Sequence, residues 1–530
     1  MSHGPLPDIP PEQMTPLVEQ LLRIIQGLIE ENRQLREEID KLKKQKGRPK
    51  IKPSALEKPK RARDGLAKSR QANPTGRCEP LKETRVVEPE NIPEGSRFKG
   101  YKEYTIQDLV VQATEITFRL KVYVTPDGQV IRGELPKEYS SGHFGPDLIA
   151  HCLQLYHGGF MTQPALLEHL GELGVKVSAG QLHTILSEDK EAFHLEKDAV
   201  RQAGIEESPF LNVDDTGARH EGKNGTCTCL CSPFFCSFET TKSKSRLNFL
   251  EILRGSYKDY LLDEGTLLYA FERKASDSAL SKLDEFLNAY GERRFRSSKT
   301  WMRLLKKLGV TGKKDIRVLT EGAVLSSAVH HGLPEGIPIM SDAAGQFHIW
   351  VTHALCWIHE ERHYRKLVPV SDAESEQLAA IRGQIWNFYE ALKTFSNCPS
   401  TEMRTKLNHD FDKVFQRTDL SPALNELLRQ TYSRRQGLLQ ILDNPQVPLH
   451  NNDCERDIRQ YVKRRMISST TRSESGRKAR DTFLSLKKTC QKLEVSFLGY
   501  LKDRVHRLNE IPSLATTLRQ QAQLAQAKCS

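Results

Sequence analysis

Several acidic and thiol positions in this chain stand where chemistry is plausible. In LNVDDTGARH (211–220), Leu211 and Val213 alternate with polar residues, and Asp214 and Asp215 follow before a turn-rich EGKNG. The alternation reads as a strand that ends in two carboxylates. A second apolar run, Ile337 to Met340, delivers Asp342 in the same way. A third acid, Glu455, follows Asn451, Asn452 and Asp453, whose side chains suit a helix cap, and precedes a strongly basic helix. Glu455 reads either as an i,i+4 ion pair with Arg459 or as a metal ligand beside a phosphate-binding surface. Cys227, Cys229, Cys231 and Cys236 invite a metal reading. In a strand, however, the first three share one face about 7 Å apart, which suits packing against a helix better than tetrahedral zinc. Cys356, His359 and His363 have a zinc-like spacing but lack further ligands, so no zinc is expected.

The elements that must position these groups are legible in outline. Asn224-Gly225 signals a hairpin. TCTCLCS from Thr226 and PFFCSFETT from Pro233 read as two more strands, and a helix is expected over about 245–253. Three antiparallel strands followed by a helix match the opening of a ribonuclease-H-like domain, in which the first strand carries an acid into a metal site. Upstream, residues 164–186 outline a helix-turn-helix, with Ser178 capping the second helix and Gln181, His183 and Thr184 on its outer face. Such outlines also occur in helical proteins that never touch DNA.

The N-terminal part counts in sevens. Met14, Leu21, Leu28, Leu35 and Leu42 share one heptad position, and Val18, Ile25, Asn32 and Ile39 share the other. Leucine at d, β-branched residues at a and one Asn at a favour a parallel dimeric coiled coil, with Leu21, Leu28, Asn32 and Leu35 at its seam. From Lys43 to Arg70 there are twelve Lys or Arg, interrupted by prolines. This reads as a disordered basic linker. Arg48 and Lys50 lie in a Lys-Gly-Arg-Pro-Lys core that either enters a minor groove or screens phosphates without sequence preference. A regulator of the basic-zipper type is disfavoured, because there the basic helix precedes the zipper.

Three blocks together resemble the DDE transposases of the insertion-sequence sixty-six family. They are Asp214-Asp215-Thr216; Ser341-Asp342 followed by Cys356-Trp357-Ile358-His359-Glu360-Glu361-Arg362; and Pro448-Leu449-His450-Asn451-Asn452 with Glu455-Arg456. The resemblance covers roughly residues 90–510. It implies an α/β fold with a ribonuclease-H-like catalytic core and helical insertions, and a catalytic, metal-binding triad of Asp214, Asp342 and Glu455. Asp215 stands where the family usually has Glu and is read as a neighbour. The implied cofactors are two Mg²⁺ or Mn²⁺ ions about 4 Å apart, and the implied chemistry is DNA cleavage and strand transfer. The cysteine zinc module that many members carry upstream is not matched, since only Cys78 lies there.

The expected organisation is a coiled coil at 12–46, a basic linker at 47–90 and a helical DNA-binding region at 91–205. A core follows over 206–370, with an insertion at about 256–336. A helical insertion spans 371–447, the Glu455 helix and basic part of the core span 448–510, and a tail closes the chain at 511–530. The expected DNA contacts are Arg48, Lys50, His359, Arg362, Arg456, Arg459, Lys463, Arg464, Arg465 and Arg472. A net charge of +11 and a pI near 9.0 agree with a nucleic-acid partner. No secretory leader opens the chain and no stretch reaches about 18 apolar residues, so a cytoplasmic protein without a membrane partner is expected. Its partners would be the element ends, target DNA, a second copy or higher homo-oligomer, and accessory proteins of the same element. Two competing readings are a catalytically inactive dimeric DNA-binding protein derived from a transposase, and a ribonuclease-H-like nuclease without strand transfer.

Overall fold

A computed structural model describes residues 76, 82–139, 142–349, 352–369 and 371–529. The heptad region, with Leu21, Leu28, Asn32 and Leu35, lies outside the described residues, as do Arg48 and Lys50. Residues 82–121 are exposed, form no strand or helix, and lead into a short hairpin, β1 (Val122–Val124) and β2 (Val130–Arg132). Apart from a 3-10 turn at Lys137–Tyr139, helix begins with α1 (Pro146–Leu153), so residues 91–145 differ from the helical region expected there. The stretch is rich in β-branched and aromatic residues without a 3.6-residue apolar period, and has no stripe to bury as a helix.

After a π-helical turn over Gln154–Gly158 come α2 (Gln163–Glu172) and α3 (Ala179–Ser187). Gly174, at φ +80, ends the first of these. Ser178 and Gln181 form a reciprocal capping box at the second, where Gln181 is exposed as expected and its side chain is engaged in the cap. The long α4 (Glu191–Glu207) follows.

The central sheet is built from β3 (Leu211–His220), β4 (Lys223–Cys231), β5 (Cys236–Thr241), β8 (Ile339–Ser341) and β9 (His353–Leu355). Its order is β5-β4-β3-β8-β9: the first three strands are antiparallel, and β8 and β9 join parallel to β3. β3 is longer than expected, running six residues past Asp214 to His220. The hairpin turn is Glu221-Gly222, not Asn224-Gly225. Both turn residues have positive φ, +48 and +75, the requirement of a two-residue turn matching strand twist. Asn224 and Gly225 pair inside the ladder, opposite Arg219 and Ala218.

Between β5 and β8 stand α5 (Arg246–Arg254), β6 (Tyr260–Leu262), α6 (Glu264–Glu272), α7 (Asp277–Tyr290), β7 (Arg293–Phe295), α8 (Ser298–Lys307) and α9 (Lys313–His330). The expected helical insertion is present, with an added two-stranded sheet of β6 and β7. After β9 come α10 (Trp357–Lys366), α11 (Asp372–Asn397), α12 (Thr401–Phe415), α13 (Pro422–Ser433), and two short turns, α14 (Arg435–Leu438) and α15 (Gln440–Asp443). They share an apolar core of their own, in which Trp357 and Tyr364 of α10 meet Phe388 and Phe411. The segment before Glu455 is therefore a packed helical insertion. The chain closes with α16 (Asn452–Ser468), α17 (Glu474–Lys492), α18 (Phe497–His506) and α19 (Leu514–Cys529).

Two faces of the sheet are buried differently. Leu211, Val213 and Leu230 belong to the large core shared with the surrounding helices. Cys227, Cys229, Cys231 and Phe238 face the other way, against Cys454, Ile458 and Tyr461 of α16 and Leu484 of α17. The edge strand β5 is sealed by α17. The outward N–H groups of Cys236, Phe238 and Thr240 donate to Thr489 Oγ1 (3.2 Å), Ser485 Oγ (2.8 Å) and Asp481 Oδ2 (2.8 Å). These acceptors recur every four residues, one face of a helix, and they remove a sheet edge that could otherwise pair with another chain.

A candidate carboxylate site at the sheet edge

Asp214 lies where β3 loses its parallel neighbour. β3 pairs with β8 only through Leu211↔Ile339 and Asn212↔Met340. Beyond that point β3 continues alone on this side, and Asp342 follows directly on the last residue of β8. Two strand-borne acids thus reach one open edge. Asp342 Oδ1 accepts the backbone N–H of Ala344 (3.1 Å), which shapes the turn after β8.

Glu455 comes from the first turn of α16, and Asn451 sets the angle of that helix. Asn451 is 1 % exposed. Its Oδ1 accepts from Asn212 Nδ2 and its Nδ2 donates to the Val213 carbonyl, both at 2.8 Å. Its backbone N–H meets Cys356 Sγ at 3.4 Å. Asn451 was expected to cap the helix. It forms no side-chain cap and instead clamps α16 to β3 one residue from Asp214. Its side-chain groups are committed to the strand, and a buried amide must satisfy both ends.

The electrostatics agree with convergence. Asp214 is pushed up to about 6, chiefly by burial, with further upward pressure from Asp342, Glu455 and Asp215. Its Oδ1 accepts from the Asp215 N–H at 2.8 Å, which partly offsets the rise. Asp215 has a different setting. It accepts from Thr228 Oγ1 (2.6 Å) and Gln346 Nε2 (2.9 Å), and Lys244 lies 3.9 Å away. Burial raises Asp215 too, but its oxygens are already engaged by these donors.

Glu455 keeps basic company. His359 Nε2 lies 3.7 Å and Arg362 Nη2 3.5 Å from Oε1, and Arg459 is 3.6 Å from Oε2. The i,i+4 pair with Arg459 therefore exists alongside the acidic cluster. His359 is pushed down, first by burial and next by Arg362. Arg456, Arg459 and Lys463 occupy an exposed stripe of α16, with Arg456 paired to Asp453. Arg465 bonds Thr216 Oγ1 (3.2 Å) and the Gly217 carbonyl, so it braces β3. Arg472 is exposed, while Arg464 is buried over Tyr156 rather than displayed at the surface.

The thiols divide into two groups. Cys356 is buried at the start of α10, His359 turns to Glu455 and His363 is exposed, so the expected spacing does not gather a ligand set. Cys229, Cys231 and Cys454 do come together, with ligand atoms all within 4.8 Å of one another. Cys454 leaves no trace in the local spacing, because it comes from a helix more than 200 residues away. Burial pushes Cys229 and Cys454 up, while hydrogen bonds from Cys229 and Cys454 pull Cys231 down. The cluster is sealed among Phe238, Tyr461 and Leu484.

Residues 333–479 match the family model described as "Transposase IS66 family", a span that contains Asp342 and Glu455 but not Asp214. The chain is also 39% identical over 305 residues to the uncharacterized protein y4jO of Sinorhizobium fredii (strain NBRC 101917 / NGR234), a stretch covering 57% of this chain and 94% of that protein.

Proposed function

The chain belongs to the IS66 family of transposases, and from that premise we propose that Asp214, Asp342 and Glu455 form a DDE-type site that cuts and joins DNA. The sheet order β5-β4-β3-β8-β9, three antiparallel strands continued by two parallel ones, supports reading the core as ribonuclease-H-like. The observation that carries the proposal is geometric: Asp342 leaves the end of β8 where β3 runs on through Asp214, and Asn451 ties the first turn of α16, with Glu455, to that same strand. Like charges are rarely gathered this way without a cation to share.

The donor set fits hard divalent ions such as Mg²⁺ or Mn²⁺, which prefer carboxylate oxygens. Among the described residues, the side chains with ligand atoms all within 4.8 Å are the three thiols and not these acids. Asp214, Asp342 and Glu455 would be the residues that hold such ions. When bound, such ions would activate the attacking oxygen and offset charge at phosphorus. The protein's own contribution is positional. Asn451 fixes α16 against β3, and Arg362 and His359 hold the Glu455 carboxylate in place. Asp214 would meet a cation with its ionised carboxylate, a form that burial and the neighbouring acids disfavour in the cation's absence.

The reaction is in-line phosphoryl transfer in two displacements. Water attacks a phosphodiester, a P–O bond forms, and the bond to the leaving 3′-oxygen breaks to free a 3′-hydroxyl. That hydroxyl then attacks a target phosphodiester, loses its proton, and displaces a target 3′-oxygen. Arg456, Arg459 and Lys463 would neutralise backbone phosphates beside the acids, and residues 164–186 would supply a further DNA contact. The test is nicking and joining on the element's own ends, with and without Mg²⁺. Metal-dependent strand transfer that Asp342→Asn abolishes supports the proposal. Binding without chemistry supports the inactive DNA-binding reading, and nicking without joining supports a simple nuclease.

A further inference from the structure

A second basic site lies apart from the carboxylates. A cavity of about 650 Å³ is enclosed by the N-terminal ends of α2 and α17, by α3, and by the loop joining α16 to α17. Arg472 and Arg480 line it, and neither has a hydrogen-bond or ion-pair partner among the described residues. Arg480 is only 6 % exposed. A guanidinium so buried is costly to leave without a counter-charge.

A third arginine deepens the imbalance. Arg464 is 2 % exposed and sits 3.9 Å over the Tyr156 ring. Its Nη1 donates to the Met161 carbonyl at 3.3 Å, and its Nη2 has no partner. Arg464 and Arg480 repel each other. Their field helps keep the buried His157 neutral, pushed well below its ordinary value first by burial and then by Arg464. The acids at the rim are already engaged, Glu188 by Ser475 and His183 and Glu474 by Arg477. Two helix N-termini, capped by Thr162 and Ser473, add positive potential to the same space. Tyr156, Pro164, Leu186 and Ile467 give the cavity an apolar strip, set among polar side chains such as Gln163 and Thr470.

Resting on the reading of this chain as a DNA-processing protein, we infer that the cavity takes one nucleotide of bound DNA. Its phosphate lies between Arg472 and Arg480, and its base lies against Tyr156 and Leu186. The volume is that of a small-molecule site, larger than a lone phosphate needs. A planar guanidinium fork matches phosphate geometry, and an aromatic wall accepts any base. The cavity is also tied to the catalytic strand. Thr471 N–H donates to the Arg219 carbonyl (3.1 Å), and the Thr471 carbonyl accepts from Glu221 N–H (2.8 Å). Arg219 and Glu221 flank the end of β3, on the order of 20 Å along the strand from Asp214. One DNA strand crosses that distance in roughly six steps. A nucleotide gripped here would therefore fix the register of the DNA over the acids.

The test uses the full-length protein in EDTA, so that catalysis does not intrude. Deoxyadenosine 5′-monophosphate is expected to raise the melting temperature and to displace a fluorescent single-stranded oligonucleotide. Deoxyadenosine, inorganic phosphate and sulfate at the same concentration should do so far less. Arg472→Gln, at an exposed position that leaves the fold intact, should weaken nucleotide binding by at least about tenfold, the loss of one charge-assisted contact. Arg480→Lys should weaken it too, because the fork is lost. Arg429→Gln, in an exposed pair with Glu426, is the control. Unchanged nucleotide affinity in both Arg472→Gln and Arg480→Lys would overturn the inference, and so would sulfate as effective as the nucleotide. Strand transfer is measured separately. Normal transfer with no nucleotide binding sinks this site alone, whereas nucleotide binding with transfer that survives Asp214→Asn sinks the triad alone.

Discussion

Asp214 is the residue on which charge and fold meet. Its carboxyl is raised to about 6 from an ordinary 3.8, so the folded protein holds a proton there that the unfolded chain has released. Between those values the folded state binds more protons. Its stability in metal-free buffer therefore falls as pH rises through that window and stays lower above about 6. Asp214→Asn should remove this loss and make the metal-free protein more stable at pH 7, by on the order of 2 kcal/mol. Divalent cation should restore the wild type at the same pH. Thermal melts in EDTA from pH 4.5 to 7.5 check this, and parallel curves for the two proteins would contradict it. At this scale the sequence was partly readable. An acid after an apolar run leaves a local trace at Asp214 and Asp342, and the polar Asn451-Asn452-Asp453 run marks Glu455 as a first-turn acid. Asn451 as a clamp left none. Its partners, Asn212 and the Val213 carbonyl, lie some 240 residues away in sequence, and an Asn before a helix looks locally like a cap.

Among the elements, α16 decides whether the third acid reaches the other two. Asn451→Ala would leave the Asn212 amide and the Val213 carbonyl buried without partners. A cost of about 2–3 kcal/mol is expected from those losses. Glu455 would also lose its fixed angle, so strand transfer should fall more than stability alone explains. Denaturant melts and transfer assays on the variant, below its transition, separate the two effects. Stability reduced with unchanged transfer would make Asn451 a purely structural residue. The elements themselves were legible where period and cap agree, as in α3 with its Ser178 box and α5 after Ser245. The hairpin turn was misplaced by three residues. Asn-Gly is the stronger local signal, but the ladder needs Cys227, Cys229 and Cys231 on the α16 face, and that register puts the turn at Glu221-Gly222. Helix was overestimated before Pro146 and strand missed at β6 and β7, where runs of three residues carry no period to read.

Over the whole molecule, the proposed function joins the basic excess to the acidic centre: cationic surface would hold DNA over the three carboxylates. No helix among the described residues is long and apolar enough to cross a membrane. The heptads of the N-terminal region lead to a separate expectation. A peptide spanning Met14 to Lys46 should sediment as a dimer, and Asn32→Leu should raise its stability while loosening its oligomer state. A monomer at high micromolar concentration would remove the coiled coil from the account. Strand transfer on the element's own ends in Mg²⁺ decides whether the three acids form one catalytic site. Asp214→Asn, Asp342→Asn and Glu455→Gln should each cost ~1000-fold or more in rate while DNA binding persists, and Asp215→Asn should be milder. Near-normal transfer by Glu455→Gln would contradict the triad and leave Glu455 as the ion-pair partner of Arg459.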